Sequence, residues 1–268
     1  SEGEDVLVDA GRYQYTYHEK NRIWLKSAYA HNTLLVDNKD FMEYTDAWGS
    51  EYAAPELRIS PIQKAGYLVL EGAHTGYLQK GVQVLLKRMV VVLEPGVYVL
   101  ADMAYTSEKH TYSRLFHFNN QGNLVCEDNR IVYNGTRAKM ELVFPQENIS
   151  FHRIESKISR HYNLCEKNEA VSAEAQGEGQ TAMFAVLAGK QMQPVQVSMR
   201  SVYNPVRNCA LKEEYAQGLY IRTDNHEYRL IFRYKDLTGP HDLLQMDSCM
   251  GIGRLLISAD GENTISFA

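Results

Sequence analysis

From Tyr67 to its end the chain is cut into short runs of alternating polarity, and this punctuation constrains the fold more than any other feature. The runs are Tyr67–Gly72, Gly81–Leu93, Val97–Met103, Thr111–Phe118, Leu124–Cys126, Arg130–Tyr133, Ala138–Phe144, Ser150–Ser156, Thr181–Ala188, Gln196–Ser201, Gly218–Thr223, Glu227–Tyr234, Arg254–Ser258 and Asn263–Phe267. Most are strand-length, rich in β-branched and aromatic residues, and bounded by turn residues. The break Leu93-Glu94-Pro95-Gly96 lies between two β-branched runs and reads as a hairpin. No segment keeps a helical period for long; the best, Leu211–Gln217, amounts to about two turns. The pattern predicts an all-β chain, a large antiparallel β-sandwich of stacked sheets with few or no helices.

A chain of 268 residues with 44% apolar side chains can bury a large core, and sandwiches of this size form one unit, so residues 1–268 are read as a single domain. Its net charge of −5 provides no basic face for phosphates, which argues against nucleic acid as a partner. The longest apolar run, Met89–Leu93, is far too short to span a bilayer. The opening Ser-Glu-Gly-Glu-Asp has no basic and apolar leader regions, which suggests a piece of something longer and leaves localisation open. Cys126, Cys165, Cys209 and Cys249 are scattered without a C-x-x-C pair and read as buried thiols.

Before Tyr67 the rhythm is less regular. Asp5–Tyr17 alternates, with Tyr13, Tyr15 and Tyr17 on one face, and reads as a strand; a turn through His18–Asn21 leads to Arg22–Tyr29. Ser27–Asp37 follows, polar in its first half and strand-like in its second, and Asp37-Asn38-Lys39-Asp40 closes it as a turn. Phe41–Pro61 lacks a period and reads as a long irregular excursion of the kind that often carries function. Asn163–Gln180 and Tyr203–Ala216 read as surface loops.

On a strand, Tyr29, His31 and Thr33 would share one face, so His31 and Tyr29 are candidate catalytic residues pointing into one cleft. A second histidine, His74, stands between glycines in Gly72-Ala73-His74-Thr75-Gly76. Two imidazoles and a carboxylate from the acidic loop holding Glu43 and Asp46 would make a competent zinc site with an open position. Most of the nine histidines, His110, His117, His152, His161, His226 and His241 among them, read as ordinary sheet or surface residues.

Read together, Asp9-Ala10-Gly11-Arg12-Tyr13-Gln14-Tyr15, Ala30-His31-Asn32-Thr33 with Val36-Asp37, Ala73-His74-Thr75-Gly76-Tyr77, Lys87-Arg88 and Val99-Leu100-Ala101-Asp102 resemble the C-terminal domain of heparinase II/III-like polysaccharide lyases. The resemblance implies a β-sandwich that partners an N-terminal α/α-toroid, missing from this sequence, in cleaving an acidic, uronate-containing polysaccharide or oligosaccharide by β-elimination. It also implies a zinc ion held by His31, Asp46 and His74, and a periplasmic or secreted location. Where some relatives carry a histidine two positions before the metal histidine, this chain has Tyr29. Arg22, Trp48 and Tyr77 are candidates for sugar contact, since aromatic faces and guanidinium groups suit sugar rings and carboxylates. Two other readings stand beside the lyase: a non-catalytic carbohydrate-binding or structural module, and a stand-alone metal-dependent β-barrel enzyme.

Overall fold

Alternating apolar residues decide the architecture by needing cover on both faces of a wide sheet. The computed structural model describes residues 1–15, 19–52, 55–236, 239 and 242–267. Among them, four antiparallel sheets are stacked. Sheet one orders Leu34–Val36, Lys109–Phe118, Glu166–Glu178 and Ser150–Ile158. Sheet two has eight strands, in the order Glu56–Lys64, Tyr67–His74, Leu85–Glu94, Val97–Tyr105, Thr181–Gly189, Lys139–Val143, Arg130–Asn134 and Asn123–Glu127. Sheet three orders Gln196–Arg200, Ala216–Arg222, Glu227–Arg233, Leu255–Ala259 and Ile265–Phe267, and sheet four is built from short strands between Tyr203 and Gly251. The sheets stay open, so the β-barrel reading is set aside.

Sheet two is the centre of the stack. Val91, Val99, Ala101, Phe184 and Val186 face Leu219, Leu230, Phe232 and Ile257 of sheet three. Its opposite face meets sheet one through Phe116, Phe118, Val171 and Ala173, packed on Ile131, Tyr133, Leu142 and Ala185. The alternation passes through sheet three as well, where Ile231 and Leu256 turn the other way onto Met246 and Cys249 of sheet four. Each fully buried Val, Leu, Ile or Phe contributes roughly 1.5–3 kcal/mol, so these seams hold the body together. One charged cluster interrupts the seam between sheets one and two. Asp102 takes a bidentate pair from Arg88, at 2.6 and 3.0 Å, and a 2.9 Å bond from Arg114 Nε. Burial alone would raise the Asp102 pKa, but Arg88 and then Arg114 outweigh it and hold the carboxyl below its usual range.

Four local expectations are corrected. Glu166–Glu178, within the presumed loop Asn163–Gln180, is an inner strand paired on both sides. Its Glu, Ala, Gln and Gly composition disfavours strands, yet Ala170, Val171, Ser172 and Ala173 are buried, and tertiary packing overrides propensity. Across the expected turn and the run after it, Glu19–Lys26 is a helix and Ala28–Ala30 a 3₁₀ turn. Leu211–Gln217, the best helical candidate, turns and enters the strand Ala216–Arg222. Asp5–Tyr17 forms no strand over its described part, making isolated bridges at Leu7 with Phe118 and Gly11 with Ser159, while Thr16, Tyr17, His18 and His241 lie outside the described residues. Of the unpaired cysteines only Cys249 is buried, Cys126 and Cys165 being half-buried and Cys209 exposed.

Candidate functional site

The N-terminal segment, the helix Glu19–Lys26 and the loop that follows the strand Leu34–Val36 form a cap on sheet one. Backbone and side-chain hydrogen bonds, more than apolar alternation, set its shape. The helix turns Leu25 inward onto Ala10 and Ala30, and Ser27 Oγ donates to the Trp24 carbonyl at its end. Asp40 accepts from the Ala28 and Met42 amides at 2.9 and 2.8 Å, which fixes the 3₁₀ turn leading to His31. Asn32 then works as a piece of β-ladder: its Nδ2 donates to the Val8 carbonyl at 2.9 Å, its Oδ1 accepts from the His117 amide at 2.7 Å, and its own carbonyl accepts from Arg88. The polar half of Ser27–Asp37 is therefore irregular because its side chains replace the strand pairing.

This turn aims His31 at Asp9. His31 Nδ1 lies 2.6 Å from Asp9 Oδ2, with the histidine side chain 35% and the aspartate 67% exposed. Asp9 is itself steered, since its Oδ1 accepts from the Gly11 amide at 3.1 Å. Gly11 has φ +75, and a Cβ there would stand 2.2 Å from the Ser159 carbonyl oxygen, so only glycine permits this path. With Nδ1 donating to Asp9, Nε2 carries the lone pair and makes no hydrogen bond among the described residues. A half-exposed imidazole held this way accepts a proton, or donates one once charged. Asp9 is the partner that sequence reading missed; the signal was its place two residues before a glycine, at the start of the stretch Asp9–Tyr15 that carries the family resemblance together with the His31 motif.

Behind His31 lies His117, 1% exposed, with Nδ1 2.8 Å from Ser156 Oγ. Burial, with the charge of His31 adding to it, pushes the His117 pKa down to about 4, so the ring is neutral at ordinary pH. On the other side of Asn32 the chain borders a cavity of about 460 Å³, where sheet one ends at its edge strand and sheet two runs on beneath. Thr33, Glu56, Leu70, His74 and Arg88 line it. Burial, then the nearby Arg88, lowers the His74 pKa.

The remaining predicted residues separate into three places. Tyr29, in the 3₁₀ turn, does not alternate with His31 as on a strand; its hydroxyl donates to the Asn38 carbonyl at 2.9 Å and accepts from the Asp40 amide at 3.2 Å. Tyr77 is 1% exposed, with its hydroxyl bonded to the Lys39 carbonyl and the Val36 amide, so its side chain belongs to the core. Arg22 and Trp48 do come together, the guanidinium lying 4.4 Å from the indole centroid. The expected zinc ligands do not converge. Asp46 Oδ1 accepts from the Gly49 and Trp48 amides, which lower its pKa; His74 Nδ1 accepts from the Gly76 amide at 3.3 Å and the ring packs on Phe41; His31 Nδ1 is bound to Asp9. Among the described residues no group of three or more His, Cys, Asp or Glu side chains is placed to hold a metal. The donors as arranged do not fit a zinc ion, and no step below passes through one.

The sequence model of the family described as Heparinase II/III-like, C-terminal, matches residues 1–200, which include the whole cap and sheets one and two. The chain belongs to this family. Its fold is that of the heparan sulfate lyase HepC from Pedobacter heparinus, with a TM-score of 0.68 at 16% identity over 87% of this chain and 36% of that one. It is likewise similar to the heparinase III BT4657 gene product, with a TM-score of 0.67 at 16% identity over 87% and 35%, and to a further heparinase III, with 0.65 at 11% over 87% and 34%. The chain thus spans about a third of the length of these solved lyases. No curated protein matches the sequence. As a family member, the chain places the His31-Asn32 pair of its motif at the junction of cap and sheet.

Proposed function

We propose that this chain is the C-terminal part of a polysaccharide lyase that cleaves an acidic, uronate-containing polysaccharide by β-elimination, with the His31–Asp9 pair on the groove wall that the sandwich supplies. The observation that carries the reading is the 2.6 Å contact between a half-exposed imidazole and a carboxylate that a glycine turn orients. Removing the proton beside the uronate carboxylate is slow until that carboxylate's charge is offset. The electrons of the broken C–H bond form the new double bond, the C–O bond to the next sugar breaks, and the leaving oxygen takes up a proton. His31 Nε2 serves this chemistry at the carboxylate or at the leaving oxygen, and Asp9 stabilises its charged form. An N-terminal α/α-toroid domain provides the facing wall and the main proton-transfer group. Tyr29 holds its turn through its hydroxyl's bonds to Asn38 and Asp40.

The test is release of unsaturated uronate from heparan sulfate and alginate by the full-length protein. His31→Ala is expected to lower kcat/KM by about a hundredfold or more, in the range of a lost general acid or base. Asp9→Asn should cost less and should move the pH profile of kcat/KM. Wild-type rates in folded His31→Ala would end the proposal. The alternative, a non-catalytic carbohydrate-binding module, draws on a different observation, the exposed rings of the cap.

A further inference from the structure

Three aromatic side chains remote in sequence meet on the outside of the cap. Tyr15, Trp48 and Tyr162 are 50%, 61% and 62% exposed. Their rings are nearly parallel, with Tyr15 centred 6.0 Å from Trp48 at 11° and 6.1 Å from Tyr162 at 19°. Scattered exposed aromatics need no explanation, but three adjacent and nearly parallel rings form a patch that a free surface rarely keeps. Beneath them Arg22 is only 9% exposed, its guanidinium lying 4.4 Å from the Trp48 and 5.8 Å from the Tyr15 ring centroid. Its Nη1 donates to the Arg12 carbonyl, while Nε finds no partner among the described residues. A buried guanidinium with a spare donor thus stands under an exposed shelf of rings.

We propose that this shelf is a glycan subsite, separate from His31, that holds successive sugar rings of the acidic polysaccharide by stacking, with the Arg22 guanidinium behind the Trp48 and Tyr15 rings adding positive charge to the shelf. The proposal rests on the lyase reading for its substrate class and on the shelf for its location. Pyranose C–H groups carry partial positive charge and suit the negative faces of aromatic rings, and several adjacent rings match a ligand that repeats along its length. Charge selects an acidic ligand. In a chain of net charge −5, residues 12–26 carry Arg12, Lys20, Arg22 and Lys26 against Glu19 alone. Lys26 also lies over the Tyr44 ring, and Lys157 over Trp24, so the cap pairs cations with aromatic faces repeatedly.

The experiment measures the Kd of fluorescently labelled heparan sulfate and alginate oligosaccharides on the full-length protein, with dextran as the neutral control and Met192→Ala as an exposed variant away from the cap. Trp48→Ala with Tyr162→Ala, shown to be folded by its unchanged Tm, should weaken binding of at least one acidic glycan tenfold or more, while Tyr162→Phe retains it. A folded double variant with wild-type Kd overturns the subsite. Dextran binding as tight as the acidic glycans, or no glycan binding by wild type, does so too. If the shelf binds and the full-length protein releases no unsaturated uronate, the lyase reading falls and the subsite stands; activity with Kd unchanged in the double variant has the opposite meaning.

Discussion

The sheet body buries aliphatic side chains in strict alternation, whereas the cap that carries His31 is held by single polar side chains reaching for backbone groups. In the body, Val91, Val99, Leu230 and Ile257 are each fully buried, and losing any one leaves its neighbours in place. In the cap, Asn32 bonds to Val8, His117 and Arg88 at once, and Asp40 bonds the Ala28 turn through its side chain. A typical hydrogen bond contributes about 1 kcal/mol net, so the cap belongs to the less stable part of the molecule. The difference teaches what kind of backbone carries the proposed site: irregular, with polar groups already organised, and resting on a densely packed body.

The strongest way to break this contrast is to attack the Asp102 cluster, a buried charged element inside the body. Asp102→Ala leaves Arg88 and Arg114 without their carboxylate, with Arg114 2% exposed. Removing one partner of such a buried cluster costs roughly 3–5 kcal/mol. Urea unfolding should show that loss, and the cap should loosen as well, because Arg88 also donates to the Asn32 carbonyl. A loss below about 1 kcal/mol would mean that the seam between sheets one and two relaxes around bare guanidinium groups, against the rigid-body picture.

Gly11→Ala sharpens the contrast from the other side. The left-handed backbone at φ +75 costs a non-glycine residue about 1–2 kcal/mol, and the new Cβ would press on the Ser159 carbonyl. That strain is local. Hydrogen exchange should therefore speed up around Asp9 to Tyr15 while the strands Leu85–Glu94 and Val97–Tyr105 keep their protection. Equal loss in both would show that cap and body unfold as one unit.

Acid should reach the junction of the two regions before it reaches the body. His117 titrates at about 4 in the fold and near 6.5 unfolded, so the unfolded chain binds the extra proton between those values. Its stabilising contribution is complete above pH 6.5 and is lost as pH falls towards 4, by up to about 3 kcal/mol. His74, lowered by burial and Arg88, acts with the same sign. His226 acts oppositely: its bond to Asp260 raises its pKa, so its contribution is present below about 6.5 and fades as pH rises, and its exposure keeps that small. The groups facing His117 are His31, Asp9 and Ser156. Urea midpoints at pH 7.5 and 5 should differ in wild type and converge in His117→Gln; parallel curves would remove His117 from the account.

The same contrast explains which parts were legible in the sequence. Strands such as Val97–Met103 and Thr181–Ala188 were read nearly to their ends because alternation is local and burial enforces it. Glu166–Glu178 was not, since its right to a central position comes from two neighbouring strands and not from its own residues. In the cap, the helix Glu19–Lys26 is too short to display a period, and its inward face is chiefly Leu25. His31 stood out through its motif, but Asp9, Tyr15 and Tyr162 reach their partners through a turn at Gly11 and a chain crossing at Ser159 that no spacing rule encodes.

The smallest expected effect concerns zinc, which the family resemblance implied at His31, Asp46 and His74. Binding to the fold alone would stabilise it in proportion to affinity and concentration, so a formed site would raise Tm measurably in excess zinc. His31 keeps Nε2 and Asp46 keeps Oδ2 outside these hydrogen bonds, but the three side chains do not lie together, so for them to meet the cap would have to rearrange towards the strand end that carries His74. Tm is therefore expected to stay constant on adding zinc, in wild type and in His31→Ala alike. A rise confined to wild type, with one equivalent of zinc found by elemental analysis, would show that the cap has a second arrangement in which these three donors converge.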